Sequence, residues 1–149
     1  MPEKQTLERA EQDKREGKSP STQAGEFVRE EMEHIRKGKH GARSTKQAIA
    51  IGLSKARRAG VRLRPPKKGK TSARTRRSAS RAYQAGRKGA GRKPSRTRSA
   101  AASRALRREG SSAASHTALS RQARSTAGAR THAQRSRSAQ KAARTRKRR

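Results

Sequence analysis

The stretch "RSTKQAIAIGLSKARRAGV", residues 43–61, decides how this chain folds. Ser44 followed by Gln47 has the spacing of a capping box, in which hydroxyl and amide side chains satisfy backbone amides at a helix start. Ala48, Ile49, Gly52, Leu53 and Ala56 then recur at i, i+1, i+4, i+5 and i+8, one flat apolar face of a helix that Gly60 ends. Ile51 falls on another side, and Lys46, Lys55, Arg57, Arg58 and Arg62 form a secondary basic face. Part of the stretch imitates a helix-turn-helix, with Ala48, then Gly52 four on, then Leu53 and Ser54. The imitation stops at Arg58, where a buried aliphatic would anchor a recognition helix. The preferred reading is one uninterrupted amphipathic helix, which holds a small head together and does not read bases.

Upstream, Val28, Met32 and Ile35 fall at i, i+4 and i+7, and Phe27 and Ala24 widen that stripe. The spacing predicts a helix over 22–37 with Gly38 as its stop; Pro20 is tolerated in a first turn behind Ser19 as cap, and Ser21 or Thr22 is an equally good cap. A further helix is expected over 7–16, capped by Thr6. Two antiparallel helices joined through "GKHGARS" would bury Phe27, Val28, Met32 and Ile35 against Ile49, Leu53 and Val61. A core this thin supplies only about 3–5 kcal/mol. Its small-residue face could also pair two copies of the head as a homo-oligomer.

Downstream the composition changes. Fourteen residues of the chain are Val, Ile, Leu, Met, Phe or Tyr, and beyond Leu63 only Tyr83, Leu106 and Leu119 remain. Residues 1–64 carry 16 Lys/Arg against nine acids, net +7, whereas residues 65–149 carry 27 against Glu109 alone, net +26. Ordering costs about 1–2 kcal/mol per residue of backbone, and so few large apolar groups do not offset it. The expected architecture is mainly α: a two- to three-helix head over 1–64, closed by Pro65 and Pro66, then a long disordered Arg/Ser/Ala-rich tail over 65–149. Ala-rich pieces such as "RSAAASRALRR" are expected to turn helical once phosphates neutralise them.

The net charge of +33 points to a polyanionic partner. Cations in the tail recur every two to four residues between small side chains. The densest candidates for phosphate contact are Arg74, Arg76, Arg77, Arg81, Arg87, Lys88, Arg92, Lys93, Arg144, Arg146, Lys147, Arg148 and Arg149. Arginine predominates over lysine, and its planar fork suits bidentate phosphate bonds. Tyr83 is the one aromatic in the tail, which disfavours single-strand recognition by stacking. Duplex DNA is therefore the preferred partner, with structured RNA the alternative.

Other chemistry finds little support. The chain has no Cys, so thiolate metal sites and thiol catalysis are excluded. His34 and His40, six apart, match no common zinc spacing and read as solvated residues near a helix end. Glu30, Glu31 and Glu33 read as helix-surface charge. "AGRKGAGRK", residues 85–93, lacks the ending of a phosphate-binding loop and reads as basic linker. No enzyme, cofactor, metal, small-molecule substrate or membrane contact is expected. The charged N-terminus carries no secretory signal, which suggests a cytoplasmic location on the nucleoid.

The stretch "SPSTQAGEFVREEMEHIRKGKHGARSTKQAIAIGLSKARRAG", residues 19–60, resembles a family of short basic bacterial proteins of unknown function. That resemblance implies a small helical domain followed by a basic tail, with no catalytic residues to carry over. The tail resembles histone-like and protamine tails in composition, which implies a nucleoid-associated, DNA-binding role. A protein–protein adaptor whose tail only localises it is the third reading.

Overall fold

Two serines start the helices on which the fold is built. The computed structural model describes residues 2–89 and 95–147. Ser19 precedes helix α2, Pro20–Arg36, and its hydroxyl accepts from the Thr22 amide. Ser44 precedes α3, Thr45–Arg58, and accepts from the Gln47 amide at 3.2 Å. Gln47 Oε1 reaches one residue further back than a capping box requires, to the Arg43 amide at 2.8 Å. Helix α3 runs without a break, so no helix-turn-helix forms within it. Ahead of both lies α1, Lys4–Arg15. It begins earlier than expected, behind Glu3, and Thr6 is buried inside the helix instead of capping it.

Helix α2 packs on α3, and Gly52 is what lets them meet. A Cβ at Gly52 would lie 2.7 Å from Val28 Cα and 3.0 Å from the Phe27 carbonyl oxygen. This glycine serves a close helix crossing and not a turn. Two apolar clusters flank the crossing. One joins Ala10, Ala24, Phe27, Ala56 and Val61, with Leu53 and Leu63 against it. The other joins Met32, Ile35, Ala42 and Ala48 to Ala113 and Ala114, with Val28, Ile49 and Leu119 against it. The expected head core is thus present, split in two and extended by residues far downstream.

The expectation of a long disordered tail is wrong. Among the described residues four further helices follow the head: α4, Ala73–Arg87; α5, Arg96–Arg107; α6, His116–Gly128; and α7, His132–Lys147, with a 3-10 turn at Ser112–Ala114. Ala and Arg are among the best helix formers, so these segments satisfy their backbone hydrogen bonds locally without a large core. Caps help as well. The hydroxyls of Ser72 and Ser115 accept from the amides of Thr75 and Ala118. Thr131 and Gln134 make a reciprocal capping box, side chain to backbone in both directions.

Small residues also dock part of this region onto the head. Ala79 and Ala82 are buried where α4 meets α3, and a Cβ on Gly86 would run into the Arg57 carbonyl. Four hydrogen bonds tie residues 106–114 to the loop and helices of the head. The Gly41 and Ala42 amides donate to the Leu106 and Gly110 carbonyls, Thr45 Oγ1 to that of Ala113 and Arg36 Nε to that of Ala114. Counting only large apolar side chains overlooked alanine as a packing residue. Helices α5 and α7 contribute no buried residue at all. No described helix is long and apolar enough to cross a membrane.

Candidate functional site

Cations and anions are segregated along this fold. Helices α4 to α7 hold 17 Lys and Arg residues and not one acid. On α4, Arg74, Arg77 and Arg81 share a face at i, i+3 and i+7, while Ala79, Ala82 and Gly86 turn toward α3. Those three arginines, Arg87 and Lys88 are exposed; Arg76 is half-buried. Arg144, Arg146 and Lys147 are exposed in the last turns of α7. Arg92, Lys93, Arg148 and Arg149 lie outside the described residues. Sequence reasoning passed over Arg96, Arg98, Arg104 and Arg107 on α5, and Arg135, Arg137 and Lys141 on α7, all of them exposed. The same absence of acids would have found them.

The head divides its basic residues differently. Lys46, Arg58 and Arg62 are exposed, as a basic face requires. Lys55 and Arg57 leave that face and turn inward. Arg57 is buried, its Nε donates to the Leu63 carbonyl at 3.1 Å, and burial lowers its pKa from the usual guanidinium value. Lys55 Nζ stands 2.7 Å from Glu31 Oε2 and 3.2 Å from Glu30 Oε1. Burial works to lower the Lys55 pKa, but Glu31 and Glu30 outweigh it and the net shift is upward.

Those glutamates are not surface charge. Glu31 is fully buried and Glu30 is 3% exposed. Burial would raise the Glu30 pKa, yet the Glu3 amide, the Thr6 hydroxyl and Lys55 hold it below the usual value. The histidines are not solvated either. His34 and His40 side chains are 13% and 18% exposed, their rings set edge to face with centroids 6.1 Å apart. His40 Nε2 faces Glu31 Oε1 at 3.3 Å, and its Nδ1 lies 3.1 Å from the Gly41 carbonyl. Glu3 Oε1 lies 2.7 Å from His34 Nε2 and 2.8 Å from Lys39 Nζ; hydrogen bonds from Lys39 and then His34 pull the Glu3 pKa down to about 2. Sequence spacing hid this cluster because its members come from α1's edge, α2, the following loop and α3.

No curated protein and no solved structure matches the chain. Residues 17–68, which span α2, α3 and all of the cluster except Glu3, match the model of a family of unknown function, DUF6496.

Proposed function

We propose that this is a non-enzymatic, largely sequence-independent nucleic-acid-binding protein, acting on the nucleoid in the manner of histone-like proteins. It grips duplex phosphates through the arginine faces of α4 to α7. The observation that carries this reading is the four acid-free helices, with nearly all of their 17 cations exposed. The acids of the chain lie elsewhere, many of them in ion pairs within α1 and α2 or with Lys55. A duplex offers about one phosphate charge per 1.7 Å of axis, so cations at i, i+3 and i+7, about 4.5–6 Å apart along a helix, meet a denser row of phosphates than they need. Helical presentation fixes the arginines in advance, so less side-chain and backbone order is lost on binding. Contacts of this kind position a protein and carry little sequence information.

The test uses the full chain and fluorescence anisotropy with two duplexes of unrelated sequence and one structured RNA. Affinities for the two duplexes within about threefold, and above that for RNA, are expected. Combined Arg74→Gln, Arg77→Gln and Arg81→Gln substitutions should weaken duplex binding at least tenfold, since each lost phosphate contact removes released counterions. Unchanged binding by that variant, or a hundredfold preference for one duplex, contradicts the reading. Tighter binding to RNA would move the partner to structured RNA.

A further inference from the structure

Glu31, His34 and His40 offer one ligand atom each, and those atoms lie within 4.8 Å of one another. We propose that these three side chains bind a divalent transition-metal ion, zinc(II) being the best fit. Two imidazoles and one carboxylate are a borderline donor set, which zinc accepts with a water in the fourth position. Zinc–ligand bonds of about 2.0–2.1 Å imply ligand–ligand edges of about 3.3 Å in a tetrahedron. Glu31 Oε1 and His40 Nε2 already stand 3.3 Å apart.

A second observation points to a ligand there. Both Glu31 oxygens are buried without a well-aimed hydrogen bond; the Lys55 ammonium stands 2.7 Å from Oε2, and Oε1 faces the His40 imidazole. A fully buried carboxylate with poorly aimed partners is costly. A metal on the Oε1 side would supply the missing partner and leave Lys55 holding Oε2.

The surroundings fit a metal as well. Donation from His40 Nδ1 to the Gly41 carbonyl fixes the tautomer that leaves Nε2 free, the arrangement that orients metal-bound histidines. Glu3 Oε1 lies against His34 Nε2, and Glu30 shares the Lys55 ammonium with Glu31. His40 borders a cleft lined by Lys39, Arg107, Glu109 and Ser111, which gives an entry path for the ion. Because Glu31 and His34 sit one turn apart on α2 and His40 lies in the next loop, the metal would pin that loop. The same loop hydrogen-bonds to residues 106–110 through Gly41 and Ala42. Metal binding would thus brace the docking of the basic helices on the head.

The full chain, stripped with a chelator, is titrated with Co²⁺ as a spectroscopic probe and then with Zn²⁺ in competition. One ion per chain, intense visible bands of a four-coordinate Co²⁺ site, displacement by Zn²⁺ and a raised Tm are expected. His34→Gln and His40→Gln should each weaken binding at least about a hundredfold, and His116→Gln and His132→Gln should leave it unchanged. X-ray absorption of the zinc-loaded wild type gives a measure that does not depend on variants folding, and two imidazoles in the inner shell are expected. Absence of one-to-one binding in the wild type, undiminished binding in folded His34→Gln and His40→Gln chains, or a shell without imidazole overturns the proposal.

Discussion

Gly52 and Gly25 sit inside helices yet face opposite demands. Nothing lies within 4 Å of a Cβ built on Gly25, whereas one on Gly52 meets the backbone of α2. Gly25→Ala should therefore stabilise the protein by up to about 1 kcal/mol through helix propensity. Gly52→Ala should destabilise it by about 1–3 kcal/mol, because overpacking at the crossing outweighs the same gain. Chemical denaturation of both variants checks the opposite signs. Lys55 matters through what it leaves behind. Lys55→Met strands Glu31 as a buried charge without its cation and should cost about 3 kcal/mol, again read by denaturation. The sequence reading placed Ala48, Gly52 and Ala56 on one apolar face and was right to do so. It could not place Glu30 and Glu31 inside, because their partner Lys55 lies on another helix, and spacing within one helix says nothing about a neighbour's charge.

At the level of elements, the joint between α1 and α2 depends on Lys18. Its ammonium reaches both Asp13 and Glu16, and its carbonyl accepts from Gln23 Nε2 at 2.8 Å. Donation from the Lys18 ammonium to Asp13 and then to Glu16 raises the Lys18 pKa above 10.5. A raised lysine pKa stabilises the fold fully below the unfolded value of 10.5 and loses that contribution as pH rises through the folded one. Lys18→Met should therefore lower the Tm at pH 7, and the gap between variant and wild type should narrow in alkali beyond 10.5. A gap that stays constant with pH would contradict this. Helices α2 and α3 were legible because Ser19, Pro20, Ser44 and Gly60 punctuate strong apolar periodicity. Helices α4 to α7 carry equivalent signals, Ser72, Ser115 and the Thr131–Gln134 box, but no large apolar residues to draw attention to them. Their order comes from propensity and caps, which a measure built on burial does not register.

Across the whole molecule, charge is sorted by helix. Paired acids and bases hold α1 to α3 together, and exposed arginines cover α4 to α7. That arrangement costs self-repulsion, which a polyanion would relieve. The proposed function rests on this relief, so duplex affinity measured against potassium chloride concentration tests it most directly. With six or more phosphates engaged, affinity should fall about a thousandfold or more between 50 and 200 mM salt, linear in the logarithms with a slope of about −0.9 per phosphate contact. A slope near zero would show that the arginine faces do not hold the duplex, and would contradict the account.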